Sequence, residues 1–268
     1  EEIDEPKYIF SAAVDFPDAA VEAVRKETFH IFDNAQDVML QGLGMNRAQV
    51  LSHPPPPLKN LKKQLQEQQQ IIKVDMAMLY ERRVKRIYSV VIAFISTADI
   101  GGKEKPASGF HWLRDANRNI VEAVKATKHL QKNMLRYLLS DNHHIRSEYN
   151  RLRVRVADLL QQLDRIRYSD NTDVSILSLD ELKLDLKEFD RQQSKRLYRL
   201  IRENNITPEM GSSLMNDSGY VTTIQSSLIE MASSLFASRA TELAQAEQQI
   251  ALDESELDEV IDKSEAQS

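Results

Sequence analysis

The sequence of 268 residues contains no cysteine, and it has only seven glycines and eight prolines. The chain therefore forms no disulfide and offers no thiolate for catalysis or metal binding, which fits a reducing compartment without proving it. The low glycine and proline content indicates few turns and long helices. No stretch of 18 or more consecutive apolar residues occurs, so no segment of this sequence has the pattern of a transmembrane helix.

Negative charge is concentrated in the C-terminal part of the chain. The formal net charge is −6, and residues 239–268 hold nine acidic and two basic side chains, so the remaining residues have a net charge of +1. No basic footprint of the kind that binds nucleic acid is present, and we expect no nucleic-acid partner. We interpret 239–268 as an acidic tail that is either a helical extension or disordered.

Apolar residues recur every three or four positions in six long segments, and no segment alternates in the manner of a strand. The pattern predicts an all-α protein. The predicted helices cover residues 17–41, 58–98 with a break near Gln70, 110–139, 141–168, about 178–204 with Ser178 or Asp180 as the cap, and 207–236. Residues 1–16 are predicted to be an irregular lead-in, and residues 45–57 a loop closed by four prolines. The helices form two sets of three, 17–139 and 141–238, which predicts two three-helix repeats within a domain spanning 17–238.

One polar residue interrupts the apolar seam of the last predicted helix. Asp217 occupies a position between Leu214 and Val221 where the spacing calls for an apolar side chain. A carboxylate that faces a core must be paired, hydrogen-bonded or protonated. Two interpretations follow: either Asp217 reaches water at the edge of the seam, or it belongs to an internal polar site. The candidate residues of that buried polar site are Asn216, Asp217, Asn133 and Gln193.

No sequence motif of catalysis is present: there is no P-loop, no dinucleotide-binding glycine pattern, no nucleophile elbow and no HExxH. We therefore expect no catalytic activity, no cofactor and no bound metal. Acidic residues at 180–190 alternate with lysine and arginine, which favours a salt-bridged solvent face over a cation site. Four arginines give the fourth helix a basic flank suited to phosphate, lipid headgroups or an acidic partner such as the acidic tail: Arg146, Arg151, Arg153 and Arg155.

Three segments carry a resemblance to a known family: KYIFSAAVDFPDAAVEAVRKETFHIFDNA, LYERRVKRIYSVVIAFIS and NNITPEMGSSLMNDSGYVTTIQSSLI. They resemble the cytoplasmic C-terminal region of bacterial sodium/phosphate (Na/Pi) cotransporter family proteins, which is similar to PhoU, a regulator of phosphate uptake. The resemblance covers most of 7–238. It implies a PhoU-like fold, two three-helix repeats in an elongated helical bundle, and a regulatory domain that modulates phosphate transport by protein–protein contact.

The resemblance also implies a location and partners. The domain would lie on the cytoplasmic side of the bacterial inner membrane, with residues 1–16 as the linker from a transmembrane transport domain of the same full-length chain. The start at Glu1, without an initiator methionine, fits a piece of such a protein. That transport domain is the expected partner, and a second copy of the chain, forming a homodimer, is the other one considered.

The sequence departs from the acidic motifs, roughly Glu-x-x-x-Asp, with which PhoU proteins bind metal clusters. Four residues before Asp217 stands Ser213, and the comparable stretch of the first repeat contains Lys128, Lys132 and Asn133. One carboxylate does not anchor a cluster, so metal binding is not carried over. Two alternatives stay open: a free-standing PhoU-like phosphate-signalling regulator that binds metal or phosphate, and a purely structural bundle for oligomerisation.

Overall fold

The computed structural model describes residues 3–9, 17–100 and 109–236 of the chain. Of these residues 82% are helical and none is in a strand, so the predicted all-α class is confirmed. The acidic tail 239–268 lies outside the described residues, and only 3–9 are described within the predicted lead-in 1–16. No helix in the described part of the chain is both long and apolar enough to cross a membrane.

Eight helices pack together in the described residues. In chain order they are α1 (Pro17–Gly42), α2 (Arg47–Leu51), α3 (Leu58–Glu67), α4 (Met76–Tyr80, the π-helical Glu81–Lys85 and Arg86–Ile100, which run on without a break), α5 (Gly109–Leu138), α6 (His143–Arg167), α7 (Thr172–Arg202) and α8 (Pro208–Leu235). At the start of α8, the Thr207 hydroxyl accepts a hydrogen bond of 3.1 Å from the backbone N–H of Met210, as its position before Pro208 predicts.

Between α1 and α4, one feature differs from the prediction and another agrees with it. The short helix α2 lies inside the predicted loop 45–57, because Asn46 and Gln49 form a capping box through two hydrogen bonds of 3.0 Å. The break predicted near Gln70 is a non-helical segment spanning 68–75, which separates α3 from α4.

Helix α7 begins earlier than the sequence pattern predicts. Its cap is Asn171, whose side chain accepts a hydrogen bond of 3.2 Å from the backbone N–H of Val174, and not Ser178 or Asp180. The apolar residues of its first turns, Val174 and Leu177, are exposed. They do not follow a buried seam, and the period of apolar residues therefore misses them.

The centre of the bundle is the pair formed by α5 and α8, which have the most extensive contact of any two helices. They are antiparallel, because Tyr137 of α5 meets Ser213 of α8 while His129 stacks on Tyr220. Helix α1 packs on α5 and α4 packs on α1, whereas α6 and α7 pack on α8, and α2 and α3 cover α6. The interpretation of residues 17–139 and 141–238 as two copies of one three-helix repeat stays a prediction.

The described part of the lead-in, residues 3–9, is bound to the bundle. The Asp4 carboxylate lies 3.0 Å from the Arg83 guanidinium of α4, and Glu5 lies 2.9 Å from Arg86. The backbone N–H groups of residues 7 and 8 donate to the carboxylate of Glu27 on α1. These contacts fix the segment on the surface formed by α1 and α4.

Candidate functional site

Asp217 lies in the interior, where α8 faces α5 and α6. Its side chain is fully buried, which excludes the interpretation that it reaches water at the edge of the seam. The Tyr149 hydroxyl of α6 donates a hydrogen bond to Oδ2 of Asp217. Oδ1 of Asp217 has no hydrogen-bond partner among the described residues. Asp217 lies three residues after Leu214 and four residues before Val221, so the spacing of the α8 seam places its carboxyl in the core.

The environment of Asp217 favours its neutral form. Burial raises the pKa of its carboxyl. The hydrogen bond from Tyr149 and the nearby Asn133 amide lower that pKa, but by a smaller amount, so the net shift is upward. Within the part of the chain that is described, no cation contributes to this balance. Burial, the bond to Asp217 and its charge also raise the pKa of the Tyr149 hydroxyl, which therefore remains a donor.

The polar contact continues towards the surface along α5. The ring of Tyr149 stacks on Tyr137 with 5.3 Å between the centroids, and the Tyr137 hydroxyl lies 3.2 Å from Oγ of Ser213. The Arg136 guanidinium sits 5.1 Å from the centroid of the Tyr137 ring. The chain of contacts connects α5, α6 and α8, so its direct consequence is to fix the relative positions of these three helices.

The structure assigns different positions to the other predicted members of the buried polar site. Asn133 is half-buried on α5 and lies near the carboxyl, but it does not supply the missing partner of Oδ1. Gln193, a candidate member of that site, is buried on α7 and donates to Oγ of Ser218 at 3.2 Å, not to the Asp217 carboxyl. Asn216 is exposed, because consecutive helical residues point about 100° apart.

The partner that the sequence analysis missed is Tyr149. It stands between Ile145 and Leu152 in a run of residues spaced three and four apart, a pattern that indicates a core position and no specific partner. A buried tyrosine hydroxyl usually finds a hydrogen-bond partner, so a tyrosine and an aspartate in two facing seams were a usable signal. The pairing itself depends on how far α6 and α8 are shifted along each other, which periodicity does not specify.

A second buried carboxylate, Glu27 of α1, has the opposite electrostatic character. It accepts hydrogen bonds of 3.0 Å and 2.7 Å from the backbone N–H groups of Lys7 and Tyr8, and Nδ1 of His30 lies 2.7 Å away. Burial raises the pKa of Glu27, but His30 and the two backbone donors outweigh burial, so the net shift is downward. Glu27 is therefore held ionised while it binds the lead-in.

The basic flank of α6 divides into groups with separate surroundings. Arg146 donates to the backbone oxygen of Ser140, and Arg153 is fully buried. Arg151 and Arg155 line a cleft between α3, α6 and α7. This cleft is the concentration of positive charge to which the sequence pattern pointed.

The acidic residues of α7 form salt bridges and hydrogen bonds. Glu188 binds Arg191 on the same helix at 2.5 Å, Asp185 binds Arg155 at 2.7 Å, and Asp190 accepts a hydrogen bond from Thr222. Over 3–9, 17–100 and 109–236, no group of three histidine, aspartate or glutamate side chains is arranged to hold a metal ion. The predicted salt-bridged face is confirmed at Asp185 and Glu188, whereas Asp190 is half-buried and contacts α8.

Comparison with known proteins yields no match: no family model, no curated protein and no solved structure matches the chain. The resemblance to the cytoplasmic region of Na/Pi cotransporter family proteins therefore stays a prediction based on the three sequence segments.

Proposed function

We propose that this chain is a non-catalytic regulatory domain of a sodium-dependent phosphate cotransporter family protein, which modulates phosphate transport by protein–protein contact. The resemblance of three sequence segments supports the family, and the all-helical bundle agrees with the fold that the resemblance implies. The observation that carries the contact function is a line of exposed apolar side chains on α7.

The apolar face of α7 consists of Leu177, Leu184 and Tyr198, which are exposed to 62%, 67% and 62%. Leu184 lies seven residues after Leu177, and Tyr198 lies fourteen residues after Leu184, so the three residues lie along one side of the helix. The inner face of the same helix is a separate set of buried residues: Leu179, Leu182, Phe189, Gln193, Leu197 and Leu200. Helix α7 therefore carries exposed apolar side chains on the side opposite its buried face, with Arg191 among them.

Charged residues flank this line and are largely paired within the helix. Arg191, which occupies the step between Leu184 and Tyr198, binds Glu188 through two hydrogen bonds, and Lys183 lies 4.0 Å from Asp180. Because these charges are already compensated, the line presents exposed apolar surface between salt bridges. An apolar centre with a polar rim is the usual anatomy of a protein–protein contact.

The partner we propose is the transmembrane transport domain of the same full-length chain, on the cytoplasmic side of the bacterial inner membrane. A tethered partner needs little affinity of its own, because the linker supplies a high effective concentration. The lead-in at residues 3–9 is bound to α1 and α4, which fixes where such a linker would approach the bundle.

A site-specific cross-link tests the contact. A photoreactive residue replaces Leu184 in the full-length protein in native membranes, and Ile72, which is 82% exposed in the segment between α3 and α4, is the matched control position. We expect Leu184 to cross-link to the transport domain and Ile72 to give no such product. Equal cross-linking from both positions, or none from Leu184, contradicts the contact. A cross-link between two copies of α7 supports the homodimer in its place.

The alternative function, a free-standing PhoU-like phosphate-signalling regulator that binds metal or phosphate, is favoured by one observation. The cleft lined by Arg151 and Arg155 has the charge that a phosphate group requires. Fractionation distinguishes the two functions: a full-length protein found in the membrane fraction supports the cotransporter domain, and a soluble full-length protein supports the free-standing regulator.

A further inference from the structure

The cleft between α3, α6 and α7 has a volume of about 380 Å³. Small-molecule sites have volumes of roughly 300–1,000 Å³, so a ligand the size of a small organic phosphate fits. Helix α6 contributes Asn150, Arg151, Val154 and Arg155, which are spaced so that they share one helical face.

Positive charge dominates the lining of this cleft. Four cationic side chains line it, and Asp158 is the one carboxylate among its lining residues. The cations come from all three helices: Lys62 from α3, Arg151 and Arg155 from α6, and Arg196 from α7. The excess of charge suits an anion with more than one negative charge, which distinguishes phosphate from a simple carboxylate.

The four cations differ in how far the protein already compensates them. Arg155 binds Asp185 at 2.7 Å, and Arg196 binds the buried Glu148 at 2.5 Å. Arg151 and Lys62 form no salt bridge with any described residue. The pKa of the Arg151 guanidinium is lowered, first by partial burial and then by the charges of Arg196 and Arg155, which together outweigh the opposing Glu148 carboxylate. An anion in the cleft would relieve this repulsion.

A fifth cation lies directly behind the lining. Arg153 is 1% exposed, and its guanidinium donates to three neutral acceptors: the Leu43 carbonyl at 3.1 Å, Oε1 of Gln68 at 3.1 Å and Oδ1 of Asn150. Its Nε has no partner, and burial lowers the pKa of this guanidinium to about 10 with no carboxylate to oppose it. Asn150 also lines the cleft, so the buried charge adds to the positive field there.

We propose that this cleft binds a small molecule or headgroup that carries a phosphate, with Arg151 and Lys62 as the residues that contact the phosphate. A guanidinium presents a planar fork that matches two phosphate oxygens, and an ammonium group adds a point charge. Leu58, which is half-buried, provides apolar surface for the organic part of the ligand, and the largely buried Val154 and Phe189 add little to it. The inference deepens the phosphate-binding part of the alternative function and does not depend on the contact at α7.

Calorimetric titration of the full chain tests this inference. The probes are inorganic phosphate, adenosine triphosphate and phosphatidylcholine vesicles with and without a phosphoinositide. The test variant is Lys62→Gln with Arg151→Gln, two side chains whose removal breaks no described salt bridge. The control is Lys63→Gln with Lys187→Gln, which removes the same charge from exposed positions outside the cleft lining.

We expect binding of at least one phosphate probe, weakened by at least about tenfold in the test variant and by less than about twofold in the control. Binding of the soluble probes identifies a free phosphate compound as the source of the ligand, and binding of phosphoinositide vesicles alone identifies a lipid headgroup. Absence of binding to all probes, or equal weakening in both variants, overturns the inference. A synthetic peptide with the sequence 239–268 is titrated in the same way. If this peptide binds the wild type more tightly than the test variant and no phosphate probe binds, the phosphate inference is overturned and the acidic tail is the ligand of the cleft.

Discussion

Two of the buried carboxylates, Asp217 and Glu27, should respond to pH in opposite directions when each is replaced by its amide. Both side chains are fully buried, so solvent screens neither of them. Burial raises the pKa of Asp217 above its ordinary value of 3.8, whereas hydrogen bonds lower the pKa of Glu27 below 4.5. The amides do not titrate, and each substitution therefore removes one contribution to the pH dependence of stability.

For Asp217, the folded state retains a proton that the unfolded state loses above pH 3.8. Wild-type stability therefore falls as the pH rises from that value to the higher folded-state pKa, by about 1.4 kcal/mol for each pKa unit of the shift. Asp217→Asn removes this loss and keeps an acceptor for the Tyr149 hydroxyl. Its stability relative to the wild type should be nearly equal or slightly lower at about pH 4, and should improve towards about pH 8.

For Glu27, the ionised form is the one that the folded state stabilises. Its contribution is fully present above pH 4.5 and is lost as the pH falls through the lowered folded-state pKa. Glu27→Gln should lower the free energy of unfolding by about 1.5–3 kcal/mol at neutral pH, the usual contribution of a hydrogen bond to a charged group. The difference from the wild type should shrink as the solution becomes more acidic.

Urea denaturation followed by circular dichroism between about pH 2.5 and pH 8 measures both effects, because the Glu27 contribution changes only below pH 4.5. Asp217→Leu is the second variant at that position, because it leaves the buried Tyr149 hydroxyl without an acceptor and should destabilise by about 1–3 kcal/mol. The reasoning is refuted if the two amide variants show the same pH trend, or if Asp217→Leu is as stable as Asp217→Asn.

Three further predictions rest on burial and backbone conformation. Leu152→Ala should lower the free energy of unfolding by about 2–5 kcal/mol, because Leu152 is fully buried on α6. Leu177→Ala should change it by less than about 0.5 kcal/mol, because Leu177 is exposed on α7. Urea denaturation of the two variants measures both values. Gly219→Ala should raise the melting temperature, with a gain of about 0.5–1 kcal/mol, because the added Cβ meets no atom within 4 Å inside α8. Gly44→Ala should lower it, since Gly44 has a φ of +72° that disfavours a side chain; a stabilised Gly44→Ala contradicts this account.

The sequence pattern predicts long helices well and short or two-faced elements poorly. The extents of α1, α5, α6 and α8 follow from a single buried seam, and the structure has them within about two residues of the prediction. The first turns of α7 were missed because their apolar residues face outward. Helix α2 depends on a local capping box of four residues, which is too short for any period to be visible.

The candidate site was likewise predictable only in part from the sequence. The position of Asp217 in a seam left two interpretations open, water at the seam edge or an internal polar site, and its burial selects the second. Its partner was not predictable, since choosing between Tyr149 and Gln193 requires the relative shift of neighbouring helices. The basic cleft combines Lys62 of α3 with Arg196 of α7, which are distant in sequence and meet only in the folded bundle.

Sodium-dependent uptake of labelled phosphate tests the proposed function most directly. The measurement compares cells that contain the wild-type full-length protein with cells that contain Leu177→Asp with Leu184→Asp, and with Ile72→Asp as the control for an added exposed charge. The proposal predicts sodium-dependent uptake whose rate changes in the α7 variant and is unchanged in the control, at equal amounts of protein in the membrane. Uptake that is independent of sodium, or that is identical in all three proteins, contradicts it.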